Sequence, residues 1–145
     1  YDNEPADNGW FKLNLPDWYD PAIVTLFKIT LSGHDDNRSD PIDIFLSFDD
    51  NHTSYSNVAF YNVDNYIPFT LTLDILNNDL LYNGSDVGDL SNIAMSSFEN
   101  HDFFWVGYGC HFYHDKSEVD IVPEPMTMLL LGFGFLGLGL ARRKS

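Results

Sequence analysis

The sequence predicts an all-β protein, an antiparallel β-sandwich of jelly-roll type, followed by one C-terminal hydrophobic helix. Three observations carry this. Hydrophobic residues recur with period two over most of Phe11 to Val122, clusters of Asp, Asn, Ser, Gly and Pro punctuate that alternation, and no stretch of the body carries a helical stripe. Seven or eight short strands with turns between them suit two packed sheets, each with one face in a core and one in water.

The elements follow in order. Phe11, Leu13 and Leu15 alternate with Lys12 and Asn14, and Ile23, Thr25, Phe27, Ile29 and Leu31 share one parity along "AIVTLFKITLS". Ile42, Ile44, Leu46 and Phe48 are in phase in "IDIFLSF", and "NVAFYNV" follows. In "YIPFTLTLDIL" the apolar face is Ile67, Phe69, Leu71, Leu73 and Ile75, with Thr70, Thr72 and Asp74 opposite; Pro68 implies an edge or a bulge there. "FFWVGYGCHFY" is apolar or aromatic on both faces and reads as a central strand. "HDK" reads as a turn into "SEVDIV", which makes Phe103 to Val122 a terminal hairpin. "LPDWYDP", "SGHDDNRSDP", "FDDNHTSYS", "LNNDLLYNGSDVGD" and "FENHD" read as loops, because their side chains imitate backbone hydrogen-bond partners or accept positive φ.

Charge is unevenly placed. All 22 acidic residues precede Met126 and are met there only by Lys12, Lys28, Arg38 and Lys116. Such a body repels phosphate backbones, which excludes nucleic acid as a partner and suits a cation-rich extracellular medium. Cys110 is the single cysteine, so no internal disulfide forms and it reads as a small core side chain. The sequence opens at Tyr1 with neither Met nor a basic-then-apolar leader, and the expectation is that an export signal has been removed or lies outside it.

The body holds three constellations of chemical interest. Asp35, Asp36 and Asp40, with Asp49 and Asp50 in the next loop, are candidate oxygen ligands for calcium, although their spacing is not that of an EF-hand and solvated turn carboxylates account for them better. Cys110 and His111 point to opposite faces of a strand and His114 falls in the expected turn, which argues against a metal centre or a nucleophile–base pair. Among the aromatic residues Trp10, Trp18, Tyr19, Trp105, His111 and Tyr113, the set Trp105, His111 and Tyr113 shares parity. It would form a stripe for stacking on sugar C–H faces, or pack beneath a loop. No phosphate-binding glycine loop or serine-nucleophile motif occurs. Carboxylates are so numerous that no acid–base pair stands out, which places a polysaccharide-active hydrolase or lyase behind a non-catalytic protein.

The end of the sequence, "VPEPMTMLLLGFGFLGLGLARRKS", is of another kind. Met126 to Ala141 are uncharged, and sixteen residues span about 24 Å as a helix, somewhat short of the roughly 30 Å hydrocarbon core. Arg142, Arg143 and Lys144 would stay on the cytoplasmic side, with the acidic body outside. The tail resembles the PEP-CTERM sorting signal of Gram-negative bacteria. The box is Val122, Pro123, Glu124 and Pro125, followed by a glycine-containing hydrophobic segment and a basic cluster, over the last 24 of 145 residues. This kind of tail also goes under the label of an ice-binding protein C-terminal domain, which implies nothing about ice.

The resemblance implies export and transient tethering in the inner membrane. It also implies processing near the box by an exosortase-type membrane protease, with the body passed to the cell surface or the extracellular polysaccharide. Sortase and GPI signals are similar in outline, but the Leu-Pro-x-Thr-Gly motif of the first is absent and the second carries no Pro-Glu-Pro box. The triplets "NRS", "NHT" and "NGS" match the N-glycosylation pattern, which a bacterial source makes immaterial. The expected organisation is a β-sandwich over 1–121 and a sorting signal over 122–145.

Overall fold

The computed structural model describes residues 9–35, 41–62, 68–109 and 112–125. The described residues form nine strands: β1 (Trp10–Asn14), β2 (Val24–Asp35), β3 (Pro41–Ser47), β4 (Tyr55–Asn62), β5 (Phe69–Asp74), β6 (Asp79–Tyr82), β7 (Ser85–Asp89), β8 (Phe103–Gly109) and β9 (Phe112–Pro123). A single 3-10 turn, Met95–Phe98, lies between β7 and β8. Two antiparallel sheets result, a four-stranded one in the order β1-β8-β3-β4 and a five-stranded one in the order β7-β6-β5-β2-β9. The β3–β4 hairpin and the β5–β6–β7 meander each stay within one sheet, whereas the chain crosses between sheets from β1 to β2, β2 to β3, β4 to β5, β7 to β8 and β8 to β9.

The core follows the alternation. Phe27, Ile29, Leu31, Leu71 and Leu73 of the larger sheet meet Ile42, Ile44, Leu46, Phe104 and Val106 of the smaller, all in one buried cluster. Each side chain taken from water this way contributes about 1.5–3 kcal/mol before chain entropy is counted. Lys28 pairs with the buried Asp74 at 3.2 Å. Burial pushes the Asp74 carboxyl up, but hydrogen bonds from Asn77 and the neighbouring ammonium outweigh it and hold it below the usual carboxylate range.

Several expectations are corrected. Phe103 to Val122 is not a hairpin, because β8 lies in the smaller sheet and β9 in the larger; "HDK" is interior to β9 and carries the strand along β2. The register shift between Val24 and Leu26 reverses parity at the start of β2, so Val24 turns inward and Thr25 outward. Pro68 precedes β5 rather than interrupting it. "LNNDLLYNGSDVGD" is not a loop but supplies β6 and β7, joined at Asn83 and Gly84 with φ of 48° and 81°, as a two-residue hairpin turn requires. The expected C-terminal helix, with Arg142, Arg143 and Lys144, lies outside the described residues. No helix among the described residues is long and apolar enough to cross a membrane.

At one edge the two sheets meet through rings. His114 of β9 stacks on Phe11 of β1 with 3.8 Å between centroids, and its Nε2 lies 2.7 Å from Ser117 Oγ. Burial pushes the His114 imidazole below its ordinary value, against the opposing influence of the Lys116 backbone and Asp115. A base whose folded pKa is depressed binds its proton more readily unfolded, so stability is full above the unfolded value and falls as pH drops through about 6.5. Urea unfolding at pH 7.5 and 5.5 is expected to show this loss, and His114→Phe to flatten it; an unchanged slope in the variant would exclude His114 as its source.

Candidate functional site

The outer face of the smaller sheet, which an alternating strand would leave to water, is covered. Cross-strand pairing sets Lys12, Trp105, Ser47 and Tyr55 in one row, Trp10, Gly107, Phe45 and Asn57 in the next, and Gly109, Asp43 and Phe60 in a third. Asp43, Phe45 and Ser47 are only 4%, 2% and 0% exposed, although they lie opposite the core side of β3. Asn57 donates to Asp43 Oδ1 at 2.6 Å.

Trp10 lies across Gly107. A Cβ at Gly107 would come within 2.7–2.9 Å of the indole carbons, so this close approach requires glycine. His52 stacks on Trp10 at 4.5 Å and 8°, and presents an edge to Trp105 at 4.6 Å and 79°. Tyr55 contacts both Trp10 and Phe45, and the Lys12 ammonium sits 3.5 Å from the Phe103 centroid and 5.4 Å from that of Trp105. Tyr55 and Phe60 are the more exposed rings of this face.

His52 reaches this position through its turn. Asp49 Oδ1 accepts the amides of Asn51 and Thr53, and its Oδ2 accepts the Ser54 amide and the Thr53 hydroxyl. Ser47 Oγ donates to the Ser54 carbonyl at 2.8 Å, and His52 adopts φ of 53°, uncommon for a residue other than glycine. Burial pushes the Asp49 carboxyl up, yet those hydrogen bonds outweigh it and keep it below the ordinary value. The turn thus clamps an imidazole over two indoles. His52 Nδ1 and Trp105 Nε1 are buried there without a hydrogen-bond partner among the described residues. A buried polar atom left unpaired costs about 1–3 kcal/mol; the Trp105 N–H lacks an acceptor, and His52 Nδ1 lacks an acceptor or a donor according to its tautomer.

Other expected site residues fall elsewhere. Trp105 is on β8 and Tyr113 on β9, in different sheets, so the single-strand stripe does not form; Tyr113 stacks instead on His34. Cys110 and His111 lie outside the described residues, as do Asp36 and Asp40. Asp35 closes β2, and Asp49 and Asp50 follow β3, where Asp49 serves the turn and Asp50 pairs with Lys12 at 3.2 Å. No group of three or more His, Cys, Asp or Glu side chains able to hold a metal ion occurs among the described residues.

The sorting box is the second feature. Val122 and Pro123 are the last residues of β9, paired with Leu26 and Val24 of β2, so body and box overlap in one edge strand. Thr25 Oγ1 donates to the Val122 carbonyl at 3.2 Å, and the Glu124 amide donates to the Ile23 carbonyl at 2.6 Å. Beyond the strand, Glu124 and Pro125 are exposed. A β-sandwich whose last strand runs directly into such a box defines a globular body joined to a sorting signal. Residues 122–144 match the PEP-CTERM protein-sorting motif, which indicates exosortase-dependent sorting of an exported protein. No curated protein matches the chain.

Proposed function

We propose that the chain is a surface or extracellular-matrix protein without catalysis of its own, tethered through residues 126–145 and cut near the box by an exosortase-type membrane protease. The observation that supports this is the PEP-CTERM motif over residues 122–144. Fractionation and sizing in cells with and without the protease test it. A shorter, surface-located species is expected only when the protease is present, and identical size and location in both would remove the reading.

A second reading concerns what the body holds. The clamped His52, Trp10 and Trp105 cluster, with two unpaired buried nitrogens and the open ring of Tyr55 against Trp10, favours a glycan. Rings stack on C–H faces, and a sugar hydroxyl can accept from Trp105 Nε1 or donate to His52 Nδ1. The surplus of carboxylates on the body disfavours acidic polysaccharides, so the ligand is a neutral one.

On a glycan array, Trp105→Ala is expected to weaken binding about tenfold or more, the scale of one lost stacking and hydrogen-bonding side chain. His52→Phe keeps the stack and removes the nitrogen, and is expected to weaken binding as well. Absence of binding to any glycan would end this reading, and turnover of a polysaccharide would favour a hydrolase or lyase instead.

A further inference from the structure

We infer that the folded body masks its own sorting box, and that the processing enzyme acts on it only after the end of β9 has peeled from β2. The inference rests on the sorting role proposed above and concerns how that role is controlled.

The argument starts from the two prolines. Pro123 and Pro125 have no backbone N–H, so between Val122 and Met126 the chain offers a single amide donor, that of Glu124. That donor is already given to the Ile23 carbonyl at 2.6 Å. The Val122 carbonyl is likewise taken by Thr25 Oγ1, and Val122 and Pro123 are in register with Leu26 and Val24. An enzyme that holds a peptide in extended form does so chiefly through main-chain hydrogen bonds. Here the strand of the body has made those bonds first.

Side chains alone do not distinguish the docked from the released box, because Val122, 46% exposed, and the exposed Glu124 and Pro125 are readable in both. The backbone does distinguish them. Cleavage rate should then scale with the population in which β9 has frayed beyond Ile121, a local opening at the end of an edge strand that needs no global unfolding. The Thr25 hydroxyl is a positioning group for this equilibrium and touches nothing in the enzyme's reaction.

Three full-length chains test the inference by pulse–chase sizing in cells that carry the protease: the native chain, Thr25→Val, and a chain with Gly-Ser-Gly-Ser inserted between Ile121 and Val122. Thr25→Val removes one exposed hydrogen bond and is expected to speed processing about threefold. The insertion detaches the box altogether and is expected to be the fastest. Equal rates in all three, or slower processing of the insertion chain, would overturn masking while leaving the sorting role intact. No shortened species from any chain would overturn the sorting role, and masking with it. Hydrogen exchange on the purified full chain in detergent gives an independent reading. The Glu124 amide is expected to be protected in the native chain and less so in Thr25→Val, and free exchange in the native chain would refute the pinned box directly.

Discussion

A chain ending at Pro125 is expected to lose membrane retention while keeping a folded body. The deleted segment carries six leucines and two phenylalanines with no charge before Arg142. At the centre of a spanning segment such side chains contribute about −0.3 to −0.6 kcal/mol each, so their loss should shift the membrane-to-soluble ratio by about fiftyfold or more. The cut belongs after Pro125 because β9 does not end at Ile121. A chain stopped at Ile121 would also lose the pairing of Val122 and Pro123 with β2 and the bond from Glu124 to Ile23. Fractionation together with thermal melting separates the two effects. Membrane association unchanged by the deletion would overturn the tethering role of the tail.

Phe98→Ala is expected to cost about 3–5 kcal/mol, a large part of the roughly 5–15 kcal/mol that holds a domain of this size. Phe98 is wholly buried, with ring centroids 4.6 Å from Phe27 of β2, 5.1 Å from Phe104 of β8 and 5.3 Å from Phe48 beside β3. It joins both sheets from a single 3-10 turn, braced by Ser97 Oγ, which accepts the Ala94 amide. No neighbouring strand can close in without breaking its ladder, so the cavity stays open and the loss falls at the upper end of the range for such truncations. Denaturant titration checks it, with Phe60→Ala as the exposed control expected to change stability by less than about 0.5 kcal/mol. A loss below 1 kcal/mol for Phe98→Ala would show that the turn is not part of the core.

The sandwich was legible because alternation reports a buried face directly, as Phe69, Leu71, Leu73 and Ile75 demonstrate. Phe98 was not, since a lone aromatic between Ser97 and Glu99 has no periodicity to read. The β6–β7 hairpin had a signal in Asn83-Gly84, the pair that most strongly favours a two-residue hairpin turn, but its flanking strands are short and rich in Asp. The terminal hairpin failed because the polar run "HDK", read as a turn, lies inside β9, and alternation alone does not say which sheet a strand joins.

The aromatic site was half legible. Trp10 and Trp105 stand out by type, but their neighbour His52 arrives through a turn held by Asp49, a tertiary fact invisible to strand parity. A usable hint was the apolar residue on the wrong parity, Phe45, within "IDIFLSF". The sorting box was legible outright, because it is a contiguous run whose pattern lies in the linear sequence itself.

The β7 edge has a colloidal consequence. Ser85, Asp86, Gly88 and Asp89 are exposed along a short strand at the border of the larger sheet, and Asp79 lies opposite Asp89. Burial, and then the repulsion of Asp86, Asp74 and Asp89, pushes the Asp79 carboxyl above its ordinary value. At neutral pH this fringe of negative charge keeps neighbouring copies from zipping edge to edge, even at the crowding of a cell envelope. In acid the fringe is neutralised, and copies that had stayed dispersed are free to adhere.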